Sequence, residues 1–227
     1  MSAHEVVLQQ GWLSQTPPAF RRAVLERSVL QTFEASTPIY ETGDTSGSMY
    51  GLVSGGVQVS LATGEQGPYF AHFFAPGEWF GEGPIISGRP RMVGMTASRR
   101  TEALCLSMES MEEILAEQPM AWRLFASLAL LKLETAIAAV DELMIRDSFK
   151  RFIAVLLRLG NCRRAIPAYA PPINVDVSQT DLAHMANVTR STANLFLRRL
   201  EGQGYLQQGY RRIVIVSADK LRAMLLE

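Results

Sequence analysis

The stretch Ser178–Gly204, SQTDLAHMANVTRSTANLFLRRLEGQG, decides how the chain reads. It predicts two helices joined by a tight turn. Ser178 suits the N-cap of the first, with Asp181 three residues on, so the pair can satisfy the orphan amides of the first turn. Leu182, Met185 and Ala186 give one apolar face, and the small Ala183 lets a second helix cross closely. Asn187 stands at the corner, where Asn tolerates a left-handed backbone better than most residues, and Val188 plugs it. Thr189 is placed to cap the second helix. At about 100° per residue, Ala193, Phe196, Leu197 and Leu200 cluster on its inner side. Ser191, Asn194, Leu195 and Arg198 fall on the other side, with Arg190 at the flank. That layout is a helix-turn-helix whose second helix enters a major groove; the alternative is an αα-hairpin inside a core. The residues that follow favour the former. Tyr205–Gln207 reads as a short strand, Gly209 as a turn and Ile213–Val216 as a second strand. This makes a β-wing with Arg211 and Arg212 placed to meet phosphates.

Charge supports a nucleic-acid partner once it is mapped along the chain. The 227 residues carry 22 basic and 22 acidic side chains, but residues 148–227 hold 12 Lys/Arg against 5 Asp/Glu, and residues 1–147 hold 10 against 17. An acidic part and a basic part cancel, and the basic part carries the helix-turn-helix. Two cysteines, Cys105 and Cys162, support neither a disulfide framework nor a zinc site. Cys105 lies in an apolar strand. Cys162 beside Arg163 and Arg164 is a candidate for a lowered thiol pKa. No apolar run approaches the ~20 residues of a membrane span, and no signal peptide is read at the N-terminus, so no membrane partner and a cytoplasmic location are expected.

Between about Gln31 and Ser107 short strands are broken by glycine turns: Met49–Val53 and Val57–Leu61 around Gly55-Gly56, Tyr69–Phe74 ended by Pro76-Gly77, and Ala103–Leu106. Such spacing predicts a sandwich or barrel-like β domain. Ahead of it, Trp12, Leu13, Phe20, Val24 and Leu25 give a helical apolar pattern. After it, Ser107–Ala116 reads as a short helix, and Pro119 opens a long one to about Arg146. About 28 residues at 1.5 Å each span roughly 42 Å. Leu124, Leu128, Leu131, Thr135, Ala138 and Glu142 recur at alternating spacings of three and four and predict a parallel dimer seam. Leu133, Ile137, Val140 and Met144 form a second apolar face. Asp147 interrupts the pattern, leaving a candidate hinge at Arg146–Ser148, before a helix Ser148–Leu159 and a looser stretch Gly160–Val177. Asp219–Leu226 reads as a closing helix.

Two segments, IYETGDTSGSMYGLVSGGVQVS (39–60) and FFAPGEWFGEGPIISGRPRMVGMTA (73–97), resemble the cyclic-nucleotide-binding β-roll. The second is similar to its phosphate-binding cassette, with Phe80-Gly81-Glu82 followed by Pro90-Arg91. The chemistry fits. Amides near a glycine can approach a phosphate, Glu82 can accept from a ribose hydroxyl, and Arg91 can hold a phosphate through a charge-assisted bond. Met92 after the arginine, Gly83-Pro84 and Gly94 depart from the family pattern.

A β-roll, a long helix and a winged helix-turn-helix, in that order, resemble the CRP–FNR family of bacterial transcription regulators over nearly the whole chain. The expected fold class is α+β: an N-terminal β-roll (jelly-roll-like, a double-stranded β-helix) over 1–108, a linker and dimerisation helix over 109–147, and the winged domain over 148–227. The resemblance implies a homodimer on double-stranded DNA, RNA polymerase as a partner, and a small effector, a cyclic nucleotide or another molecule. Gly81, Glu82, Arg91, Met92, Ala136 and Ile137 are the expected effector residues. Ala136 and Ile137 stand where the cyclic-AMP responder has a Thr-Ser pair, so adenine would lose its hydrogen bonds. Residues 1–30 lack the cysteines of the iron–sulfur branch. The haem-binding branches need an axial ligand, and His72 in a strand and His4 near the N-terminus give haem no support. The expected DNA contacts are Thr189, Arg190, Ser191, Asn194, Leu195, Arg198, Arg211 and Arg212, with Leu195 against a thymine methyl and Asn194 on adenine. A sensory module acting on a protein partner is the alternative. Neither paired carboxylates, nor Ser/His/Asp logic, nor metal-ligand spacing, nor a P-loop points to an enzyme.

Overall fold

Alternation along the β-rich third of the chain builds two sheets around one core. The computed structural model of the protein describes residues 2–45, 47–61, 69–163, 172–209 and 212–226. Two short helices come first, α1 (Ala3–Gln9) and α2 (Pro18–Glu26). The strands follow as β1 (Val29–Phe33), β2 (Pro38–Tyr40), β3 (Met49–Ser54), β4 (Val57–Leu61), β5 (Tyr69–Phe74) and β6 (Trp79–Phe80). A one-turn helix α3 (Gly83–Ser87) separates these from β7 (Gly94–Ala97) and β8 (Thr101–Leu106). They form two four-stranded sheets, ordered β1-β8-β3-β6 and β2-β7-β4-β5. Tyr50, Leu52, Phe80 and Ala103 of the first sheet meet Tyr40, Val57, Val59, Phe74 and Met95 of the second. Period-two alternation sends Leu104 and Leu106 of β8 to the opposite face. There they pack with Met49 and Trp79 under α1, α2 and the next helices, against Trp12, Phe20, Met111, Ile114 and Phe125. β2, β6 and β7 are too short to read from alternation alone, and β1, exposed at four of its five positions, has no buried-exposed alternation to read.

Three helices follow: α4 (Met108–Glu117), capped by Ser107, then α5 (Trp122–Met144), then α6 (Ser148–Leu159), capped by Asp147. The turn Pro119–Ala121 is 3₁₀, so α5 has 23 residues, roughly 35 Å, shorter than its apolar pattern suggests. The chain ends with β9 (Ile173–Val175), α7 (Gln179–Met185), α8 (Arg190–Gly202), β10 (Leu206–Gly209), β11 (Arg212–Ile215) and α9 (Ala218–Leu226). Strands β10-β11-β9 make a three-stranded antiparallel sheet. Gly209 is no turn residue but the last rung of the wing, paired with Arg212.

Two compact units result, Met1–Tyr69 with Phe74–Glu134, and Phe70–Phe73 with Thr135–Glu227. The stretch 109–147 read as a linker is shared between them: Met111, Ile114, Phe125 and Leu128 are core of the first unit, and Glu142 belongs to the second.

The corner between α7 and α8 has the backbone its sequence predicts. Ser178 Oγ accepts from the Asp181 amide (3.1 Å), Thr189 Oγ1 accepts from the Thr192 amide (3.2 Å), and Asn187 sits at φ 50°. A β-branched residue is strained there. Asn187→Val should therefore destabilise the second unit by about 1–2 kcal/mol, while Asn187→Gly stays within about 1 kcal/mol of the parent. Urea unfolding reads both; equal losses would show that the side chain, not the backbone, sets this corner.

Candidate nucleic-acid interface and effector cassette

Helix α8 divides cleanly between core and surface. Ala193, Leu197 and Leu200 are buried with Phe152, Leu156, Leu182 and Ile213. Phe196 sets the helix's roll, with its ring 4.9 Å from Phe149 and 5.5 Å from Phe152, both edge-on. The opposite side carries Arg190, Ser191 and Arg198 exposed, Asn194 half-buried, and Leu195 at 64%. An exposed leucine of that size at the middle of a polar face has no packing reason. Arg151 of α6 ties the corner down, donating from Nε to the Ala186 carbonyl (2.7 Å). Glu201 fixes the first strand of the wing by accepting from the Gln208 amide (2.8 Å) and side chain (2.7 Å). Arg212 is exposed on β11, and its guanidinium reaches across to Asn174 Oδ1, donating from Nε at 2.9 Å and also from Nη2. Thr189 is the exposed N-cap, its hydroxyl 2.8 Å from that of Ser191. Arg211 lies outside the described residues, as do 164–171 of the looser stretch, Arg164 among them.

The first unit brings Gly81, Glu82 and Arg91 together. Gly81 adopts φ 98°, and a Cβ there would lie 2.7 Å from the Ser48 carbonyl oxygen and 3.1 Å from Arg91 Nη1, so only glycine fits. Arg91 is 4% exposed. Its Nη1 donates to the Gly81 carbonyl (2.7 Å), its Nη2 to the Ser48 carbonyl (2.6 Å), and its guanidinium lies 4.0 Å over the Tyr40 ring. Its backbone is pinned as well, through Asp44 O and Gly43 N. Its Nε–H is buried and has no partner. The arginine read as a phosphate clamp is thus also a strut between two loops. Glu82 is buried at the start of α3; burial pushes its carboxyl up, against opposing pulls from its own amide, Lys132 and Arg91.

Lys132 of α5 escaped the sequence reading. Its Nζ sits 4.2 Å from the Phe74 ring centroid. Burial pushes its ammonium down, while Glu78 and Glu82 push it back up. The available signal was a lysine one turn after Leu128, in the inward phase of an otherwise apolar helix. Met92 is 81% exposed and lies on the surface beside the cassette. Ala136 and Ile137 fall in the second unit, exposed on α5.

The residues expected in the dimer seam differ in their exposure within one chain. Leu128 is 1% exposed and packs in the first unit's own core; Leu124 is half-buried against that core, and the Trp12 indole N–H donates to its carbonyl (2.8 Å). Thr135 and Ala138 are half-buried, and only Leu131 is exposed. Only the first turns of that face, at Leu124 and Leu128, are covered by the first unit's own core. The uncovered stripe is Leu130, Leu133, Ile137, Val140 and Met144, all exposed, at spacings of three and four. The reason is that α5 is apolar on two faces, and the Trp12–Phe20–Ile114 cluster takes one of them. Cys162 also departs from expectation: it is buried in the second unit's core, and that burial pushes its thiol up to about 11, with Arg222 opposing.

Residues 30–118 match the cyclic nucleotide-binding domain family, and residues 150–224 match the Crp-like helix-turn-helix domain. The two occur in one chain, in this order, and together cover more than two thirds of it. The chain belongs to the CRP–FNR family of transcription regulators. Its relatives are distant. A CRP-like cAMP-activated global transcriptional regulator of Mycobacterium tuberculosis is 18% identical over 217 residues, covering 96% of this chain and 97% of the relative. The fold is that of FixK2 from Bradyrhizobium japonicum, with a TM-score of 0.72 at 20% identity over 86% of this chain and 96% of that one. It is also that of the c-di-GMP responsive global regulator CLP of Xanthomonas campestris, at 0.64 and 19% over 88% and 99%. In this CRP–FNR regulator no described helix is long and apolar enough to cross a membrane.

Proposed function

We propose that this CRP–FNR regulator works as a homodimer that reads a two-fold DNA site with paired copies of α8, is gated by a small anionic effector at the cassette, and signals to RNA polymerase. The observation that carries it is the surface of α8: Arg190, Ser191, Leu195 and Arg198 exposed on one side, with the other side buried in the core. Arg190 and Arg212 supply phosphate charge. Asn194, Leu195 and Arg198 face base edges, Leu195 favouring a thymine methyl and Asn194 an adenine. Two copies related by a two-fold axis present these helices to half-sites about 34 Å apart.

The effector reading rests on the buried Nε–H of Arg91, a donor in need of an acceptor. A phosphate oxygen supplies one, and Glu82 takes a hydroxyl. Cyclic AMP and c-di-GMP, the effectors named for two relatives, are the molecules to titrate first. A ligand shifts the equilibrium only by its differential affinity for the two states.

Selection of duplexes from a random pool, followed by salt titration, tests the DNA half. Recovered sites should be two-fold symmetric. Arg190→Ala should lower the slope of log K against log salt by about one per chain. Arg198→Ala should weaken binding by about 1–3 kcal/mol and relax preference at one position of each half-site. Salt-independent binding, or recovered sites without symmetry, would count against the reading.

A further inference from the structure

Helices α1 and α2 of the first unit enclose a groove of about 470 Å³ that shares no residue with the effector cassette. Its walls follow from helical spacing. His4 and Leu8 lie four residues apart on α1, and Pro18, Arg21, Arg22 and Leu25 recur at three and four on α2, so each set forms one stripe. The floor is fixed by the unit's own core: Val7, Phe20, Ala23 and Val24 are buried in it, and Leu8 and Leu25 pack against it. The groove thus has an apolar body, from Leu8, Pro18 and Leu25, and a charged rim. Arg21 is half-buried, and its Nε–H is buried with no partner. Arg27, the C-cap of the same helix, is satisfied by Glu113 and Glu117. Among the described residues no carboxylate pairs with Arg21 or Arg22. Two arginines against one glutamate, Glu26, leave the rim with a surplus positive charge when His4 is neutral.

We propose that this groove binds a small alkyl carboxylate, a monoanion with an apolar tail, as a second ligand site apart from the cassette. A buried N–H without an acceptor is costly to leave unmade, and a carboxylate oxygen supplies the acceptor. The planar guanidinium of Arg21 offers Nε–H and Nη–H side by side, a fork that matches the two oxygens of a carboxylate. Leu8, Pro18 and Leu25 take the tail, and the volume lies in the roughly 300–1,000 Å³ range of small-molecule sites. The rim sets the ligand's charge: one surplus positive charge complements a monoanion, and Glu26 opposes a phosphate dianion or a nucleotide. No large apolar side chain of α1 or α2 is among the exposed ones. The apolar surface is therefore the groove's own, which suits a single tail better than a protein face or a bilayer.

Calorimetric titration of the full chain with octanoate, octanol and octylammonium tests it. Octanoate should bind saturably, once per chain, with octanol and octylammonium at least about tenfold weaker. Arg21→Gln should weaken octanoate by at least about tenfold, and Arg21→Lys, which keeps the charge and loses the fork, should recover part of that loss. Leu25→Ala shortens the apolar wall without touching the charge and should also weaken octanoate, which keeps the test open if Arg21→Gln folds poorly. No saturable octanoate binding, octanol bound as tightly as octanoate, or unchanged affinity in Arg21→Gln or Leu25→Ala overturns the proposal. Flotation with phosphatidylglycerol vesicles examines the competing occupant. Parent protein that floats, Arg21→Gln that does not, and octanoate that fails to compete would assign the groove to an anionic bilayer and overturn the proposal as well. The titration needs no duplex, so its failure and that of the DNA-binding reading are separate.

Discussion

Leu133→Glu with Val140→Glu will leave the protein as single chains in sedimentation, and the doubly substituted form will bind the selected duplex at least about a hundredfold more weakly. The stripe Leu130, Leu133, Ile137, Val140 and Met144 is exposed in one chain, and its three-four spacing is that of a helix seam. Burial of apolar surface, at about 25 cal/mol per Å², would drive the proposed pairing. Two glutamates from each chain replace that term with like-charge repulsion. Affinity falls further than any single contact explains, because the second half-site is no longer captured intramolecularly. Leu128→Ala is the contrasting variant. It should cost about 2–5 kcal/mol of stability and leave the dimer intact, because Leu128 faces its own core. A dimer that survives the two glutamates but falls apart on Leu131→Glu with Thr135→Glu would restore the seam read from the sequence.

Arg91→Ala should destabilise the first unit by about 2–4 kcal/mol with no effector present, since two loop carbonyls lose charge-assisted donors. That corresponds to a fall in Tm on the order of 5–15 °C. A residue that serves only a ligand behaves the other way: removing its buried, unpaired charge is neutral or stabilising in the free protein. Here the guanidinium joins Gly81 to Ser48 and stacks on Tyr40, so the shape of the cassette depends on it. Arg91→Lys keeps the charge but reaches one carbonyl at a time and should recover only part of the loss. Calorimetry of the free protein decides, and an unchanged transition in Arg91→Ala would assign the residue to ligand alone.

The difference between what the residues disclose and what they conceal is physical. The helix-turn-helix was legible because each of its positions is constrained by a separate requirement: a cap at Ser178 and Thr189, a left-handed corner at Asn187, a small residue at Ala183, and an apolar inner face on α8. The β-roll was legible as strands and turns, and Gly81, Glu82 and Arg91 converge as their spacing implied. The phase of α5 was not legible. Leu128 and Leu133 are equally apolar, and the choice between them is made by Trp12 and Phe20, more than a hundred residues away in the chain. Pairing is hidden for the same reason. Nothing local to Arg91 says that its fork is committed to Ser48, and nothing local to Glu142 says that arginines 16 and 21 residues on will enclose it. Cys162 looked activated beside basic neighbours, yet its burial dominates.

Hydroxyl-radical footprinting of the selected duplex, with the chain count per duplex measured on the same sample, tests most directly that α8 is presented to DNA twice. Two protected stretches on one face of the duplex, centred about 34 Å apart, with two chains bound, is the predicted result. A single protected stretch with one chain bound, or no protection at low ionic strength, contradicts it.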